Sequence, residues 1–198
     1  EALSATTTSG SIHIENDRAG DVAVSRLSAV NGDVRFRQQT AGSLRVDSVA
    51  VNGGDALIDL AAADDAALTV TNLASVELMT VRSSGSVALN GAIRLVGPDA
   101  AGEAGLNVEA GSTIAMTSGA TISTQGSHAR FVADGDISLT GISAGAGVVS
   151  VVSRTGSLLD SGEVRTDVQT SAMRIQVSGG VGRLGQGVDD ALEVHTPV

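Results

Sequence analysis

The residues with the clearest chemical potential are close carboxylate pairs: Asp64-Asp65, Asp134 with Asp136, and Asp189-Asp190. In an acidic, glycine-rich chain such pairs raise the question of calcium, a cation that takes oxygen ligands. The calcium-binding β-roll repeat needs Gly-Gly-x-Gly-x-Asp, so that successive turns supply carbonyl and carboxylate oxygens. The nearest run, Gly179-Gly180-Val181-Gly182-Arg183-Leu184, has Leu where the ligand Asp belongs, and the motif fails. The pairs are read as solvated turns and strand caps, with no metal and no cofactor expected.

Paired carboxylates also hydrolyse glycosides when an acid and its partner face one groove. Asp134 and Asp136 are the pair to consider, but a sugar groove normally offers stacking rings, and this chain has only Phe36 and Phe131. Asp136 is better explained as a turn residue, like Asp21 and Asp33. His13, His128 and His195 show no metal-ligand spacing and read as surface positions. Gly141-Ile142-Ser143-Ala144-Gly145 matches a nucleophile elbow. That elbow requires a strand before and a helix after, whereas a Gly-rich turn and the strand Val149 to Val152 follow here. The Gly-rich run 179–187 lacks the Lys and the strand–helix context of a phosphate loop and reads as tight turns. Ice binding needs Thr-x-Thr on consecutive coils. Thr6-x-Thr8 and Thr69-x-Thr71 are isolated, and Thr113, Thr117, Thr121 and Thr124 do not hold the spacing. No catalytic residue is expected.

The elements that would position such residues come from one returning phrase. It reads Gly10-Ser11-Ile12-His13-Ile14, Gly20-Asp21-Val22-Ala23-Val24, Gly32-Asp33-Val34-Arg35-Phe36 and Gly42-Ser43-Leu44-Arg45-Val46. It returns at Gly85-Ser86-Val87-Ala88-Leu89 and Gly135-Asp136-Ile137-Ser138-Leu139. Glycine turns the chain, Ser or Asp bonds nearby backbone, and the alternating pair makes a short strand with one face inward. Glycines 10, 20, 32, 42 and 54 are separated by 10, 12, 10 and 12 residues, so 22 residues make one coil, read here as two main strands. The stretch from Asp59 to Leu73 is Ala-rich and admits a helical turn; 97–105 reads as a protruding loop. From Gly156 the text changes: Leu158-Leu159-Asp160-Ser161-Gly162 leads into Val168.

Composition supports a slender stack. Hydrophobic residues make up 42% of 198, enough for a core, yet aromatics are 1% and Trp and Tyr are absent. A core of Val, Ile, Leu and Ala suits thin layers closing on one another better than a thick sandwich. A net charge of −10 disfavours nucleic acid and anionic lipid as partners. No apolar run is long enough for a membrane helix, so no membrane insertion is expected. There is no cysteine and hence no disulfide staple.

Two local phrases carry a resemblance. One is Ala5-Thr6-Thr7-Thr8-Ser9-Gly10-Ser11-Ile12. The other is Met173-Arg174-Ile175-Gln176-Val177-Ser178-Gly179-Gly180-Val181-Gly182 followed by Ala191-Leu192-Glu193-Val194. With the overall style, they resemble the repeat regions of giant bacterial surface proteins of the filamentous-haemagglutinin type. That resemblance implies a right-handed parallel β-helix at a bacterial cell surface, working as an adhesin stalk or filament, without catalytic residues. Joining the end of the chain to its start would recreate the repeat junction, as expected for a segment cut from an array.

The sequence therefore predicts an all-β, right-handed parallel β-helix (β-solenoid) of about nine coils, on the order of 45 Å long. Residues 1–198 form a single segment. The expected core is Ile12, Ile14, Val22, Val24, Val34, Phe36, Leu44, Val46, Val87, Leu89, Ile137 and Leu139, with Gly10, Gly20, Gly32, Gly42, Gly85 and Gly135 at corners. The expected partners are neighbouring repeats of the same chain or like subunits end to end. The alternative is a module that binds a glycan or host protein through loops 97–105 and 160–172. A β-helix polysaccharide-degrading enzyme stands third.

Overall fold

The structure is a computed structural model and describes residues 2–52, 54–60, 68–75, 78–95, 104–162, 165–182 and 191–196. Within them lie 19 strands in one sheet whose pairings are all parallel, and no helix. The chain winds as a β-solenoid of about seven turns. The expected nine coils assumed a constant 22 residues per turn, whereas turn length varies: Val87 stacks on Leu68, 19 positions earlier. Leu106 stacks on Met79 rather than on a residue 22 positions earlier. At the usual strand spacing, seven turns rise about 34 Å.

Each turn contributes to three ladders, not two. The first runs in register through Val22, Leu44, Leu68, Val87, Ile114, Ile137 and Leu158. The second begins Ala5, Leu27, Val49, Leu73, Ile93 and ends Ile122, Ile142, Val168, Val194. The third runs Ile12, Val34, Ala56, Met79, Leu106, Ala129, Val149, Met173. The glycine spacing hides the second ladder. A 10-residue gap holds one strand, Ile12–Asn16, whereas a 12-residue gap holds Val22–Val30, which bends without glycine and serves two faces.

Alternation fills the centre. Ile14, Phe36, Ile58, Val81, Val108, Phe131, Val151 and Ile175 form one inner column of the third ladder. Both phenylalanines lie in it and are fully buried. Of the expected core, Ile14 and Val22 are only half-buried, packed against the cluster's margin. Ile14 lies in the first turn, with a stacking partner on one side only, and Val22 opens the strand stacked on Ala2–Thr7. The other ten are buried.

The corners use glycine in two ways. Gly10, Gly20 and Gly42 have φ of 89°, 121° and 140°, a region that L-residues avoid. Gly32 does not; Asn31 takes the left-handed conformation there, with φ 57°. Gly32 is required by stacking, because a Cβ on it would collide with the Gly10 carbonyl beneath. The Ser or Asp after each glycine reaches along the axis to the next turn. Ser11 Oγ accepts from Asp33 N at 3.0 Å, Asp33 Oδ1 from Asp55 N at 3.1 Å, and Asp136 Oδ1 from Ser157 N at 2.7 Å.

The ends of the Asp59–Leu73 stretch lie in strands, Ala56–Leu60 and Leu68–Ser75; its Ala-rich middle, 61–67, where the sequence admits a helical turn, lies outside the described residues. Most of the expected 97–105 loop also lies outside them, and Ala104 and Gly105 already begin the strand Ala104–Ala110.

Val34 is 1% exposed and its neighbour Arg35 faces solvent. Val34→Asp is expected to cost about 4 kcal/mol or more in urea unfolding, because a carboxylate between rungs has no partner. Arg35→Ser should stay within about 0.5 kcal/mol of the parent. The reverse order would mean that the faces are inverted.

Candidate functional site

In-register stacking places each outward residue over its counterpart one turn away, and like charges so aligned repel. The third ladder alternates sign along one outward column: Glu15, Arg37, Asp59, Arg82, Glu109. Arg37 Nε lies 3.6 Å from Asp59 Oδ2, and Arg82 Nε 3.1 Å from Glu109 Oε2. Arg130, on the neighbouring outward column, donates from Nη1 to Glu109 Oε1 at 2.7 Å and to Asn107 Oδ1 at 2.8 Å. Burial acts to raise the Glu109 carboxyl, but the Asn107 and Arg130 hydrogen bonds and the Arg82 and Arg130 charges hold it below the ordinary range. These side chains, with Arg154, line an open groove. Its arginines are matched by acids: Arg154 pairs with Asp134, as Arg82 and Arg130 do with Glu109.

The second grouping is interior. The strand Leu158–Asp160 stacks on Ile137–Leu139, with Asp160 directly over Leu139. Earlier turns fill that inner column with Val24, Val46, Leu89 and Met116, all buried. Asp160 thus sets a carboxylate where the architecture calls for an aliphatic side chain, and it is 6% exposed. The chain then leaves the ladder and returns at Asp167, 0% exposed, just before Val168. One turn on, Glu193 precedes Val194 in the same stack. Glu193 N donates to Asp167 Oδ2 at 2.9 Å, and Asp167 N donates to Glu193 O at 3.0 Å.

One carboxylate oxygen from each of Asp160, Asp167 and Glu193 lies within 4.8 Å of the others. Both oxygens of Asp160, Oδ1 of Asp167 and Oε2 of Glu193 are buried without a hydrogen-bond partner. No salt bridge among the described residues reaches any of the three. Burial pushes the Asp167 carboxyl up to about 7; the Glu193 amide opposes this, and the charges of Asp160 and Glu193 add to it.

The sequence-nominated residues are scattered. Asp64-Asp65 and Asp189-Asp190 lie outside the described residues. Asp134 is taken by Arg154, and Asp136 caps Ser157. His13 is exposed beside Glu15 and His195 is exposed on the last strand. His128 is no surface ornament: its Nδ1 accepts from Val148 N at 2.8 Å and ties two turns together. Ser143 lies within the strand Ile142–Ser153, stacked between Ser123 and Gln169. Thr121 stacks on Ala92, not on another threonine. The Asp160, Asp167 and Glu193 grouping went unseen, because registers that cross an irregular excursion cannot be read from spacing. Its only trace in the sequence is the polar end of Leu158-Leu159-Asp160, where the phrase requires an apolar residue.

Comparison with family models, with curated proteins and with solved structures returns no match. The fold and the two groupings therefore stand on the chain's own geometry.

Glu109→Lys puts a cation between Arg82 and Arg130. It should cost about 1–2 kcal/mol at low salt, shrinking as salt rises, against less than about 1 kcal/mol for Glu109→Gln. Urea unfolding at two ionic strengths checks both. The raised Asp167 carboxyl has a signed consequence. The folded state holds a proton that the unfolded chain releases above its ordinary value of 3.8. This contribution is fully present at acid pH and is lost as pH climbs through about 7. Thermal midpoints in buffer free of divalent cations should show that fall, and Asp167→Asn should flatten it.

Proposed function

We propose that this chain is a mechanical, non-catalytic segment, a rigid stalk within a large secreted or surface-displayed bacterial protein. The observation that carries this reading is the run of three parallel ladders over about seven turns around one continuous, largely aliphatic core. Continuous backbone ladders bonded above and below resist bending and proteolysis, and a stack of like units sets distance. The grooves on the outer faces are open, and the acids and arginines of the charged groove neutralise one another, as suits a solvated shaft. The resemblance to filamentous-haemagglutinin-type repeats supports placing it outside the cell.

The end rungs suit such a stack. Leu3 near one end of the described stack, and Ile175, Val181 and Val194 near the other, are exposed aliphatics. Neighbouring repeats of the same chain, or like subunits set end to end, are the partners this reading implies. No helix of the described residues is long and apolar enough to cross a membrane.

Two measurements test the reading. Antibodies to the outer face should label unpermeabilised source cells or the secreted fraction; purely internal labelling overturns the location. Stretching between terminal handles should show unfolding that resists load, whereas soft extension from the outset contradicts a stalk. A glycan array and a polysaccharide-depolymerase screen address the rivals, and turnover abolished by Asp136→Asn would establish an enzyme instead.

A further inference from the structure

We propose that Asp160, Asp167 and Glu193 form a divalent-cation site, with calcium as the ion, that pins the last described turn of the solenoid to the one before it. The argument starts from position. Asp160 occupies an inner column that is aliphatic in every other described turn where its burial is known, and both its oxygens are unpartnered while the residue is 6% exposed. A lone carboxylate there is costly, and two more carboxylates beside it make it costlier, unless a cation supplies the missing partner. The open oxygens are those of a ligand set: two on Asp160, one on Asp167 and one on Glu193. Asp167 Oδ2 is already engaged by the Glu193 amide, which fixes that carboxylate's orientation and leaves Oδ1 free.

The chemistry points to calcium, and the spacing lets the three carboxylates share one ion. The donors are all hard oxygens, which favour calcium, magnesium or manganese over zinc or copper. Calcium binds oxygen at about 2.3–2.6 Å, so donors on opposite sides of one ion stand about 4.6–5.2 Å apart. The three carboxylates lie within 4.8 Å of one another, inside that reach. Magnesium demands near-ideal octahedral geometry and gives up its waters reluctantly, which suits a set of protein carboxylates less well.

The ligands come from two turns, Asp160 and Asp167 from one and Glu193 from the next. Asp160 ends a strand of one turn, Asp167 opens the next ladder after an excursion of the chain, and Glu193 opens the final rung. A bound ion therefore joins three segments that otherwise meet through a few backbone bonds. The outcome is a solenoid end whose order depends on calcium, independent of whether the whole is a stalk.

The test uses the intact chain after chelator treatment, titrated calorimetrically with calcium or magnesium near neutral pH. Thermal unfolding is followed in parallel by circular dichroism, since the chain has no Trp or Tyr to report by fluorescence. One calcium per chain is expected, at a Kd of about 10⁻³ M or tighter, with magnesium at least about tenfold weaker. The thermal midpoint should rise with calcium. Asp160→Leu restores the side-chain type of Leu139 in the turn below. It should fold, melt in chelator at least as high as the parent, and show no calcium shift. No heat and no midpoint change at about 10 mM calcium would overturn the proposal. So would unchanged calcium affinity in Asp160→Leu, and equal affinity for magnesium would overturn the choice of ion.

Discussion

Parallel stacking in register makes each residue of this protein a neighbour of its own counterpart one turn away. Whatever occupies a position must tolerate a similar residue about 4.8 Å above and below it. Aliphatic side chains tolerate this best, since each added layer buries the last, and the inner columns are accordingly Val, Ile, Leu, Met and Phe. Glycine columns follow from the same rule: Gly32 rests so closely on Gly10 that a Cβ between them has no room. Outside, the rule turns electrostatic, and the third ladder meets it by alternating acid and arginine. The Ser and Asp of the turn phrase satisfy the corner amides of the turn above. Periodicity in sequence and cohesion along the axis are one property.

The same rule exposes the exceptional positions. A lone carboxylate in an otherwise aliphatic inner column must find its partner sideways or in an ion. Asp160 is that case, and Asp167 and Glu193 lie where a partner would be sought. Regular turns build a shaft, and departures from regularity are where a specific property gathers.

Much of the fold was legible because its signal is local. The Gly-Ser/Asp-apolar-x-apolar phrase marked strands correctly from Ile12 to Val46, at Val87 to Leu89 and at Ile137 to Leu139. The second ladder was not legible, because Leu27 and Val49 follow bends made without glycine. The turn count assumed a constant 22 residues per coil, whereas Glu193 sits 26 residues beyond Asp167 and Val87 only 19 beyond Leu68. The interior carboxylates were missed for a related reason: their proximity depends on the path of an excursion between ladders, which no local pattern encodes. The role of His128 depends on a backbone amide 20 residues away.

Spin labels on His13 and Arg35 test the stacking most directly. Both face solvent, they lie 22 residues apart, and they form one outward pair of the third ladder. Continuous-wave spectra of the doubly labelled protein should show strong dipolar broadening. Moving the second label from 35 to 57, one rung further, should weaken it. Sharp, uncoupled spectra for the 13/35 pair, or stronger coupling for 13/57, would contradict the in-register solenoid.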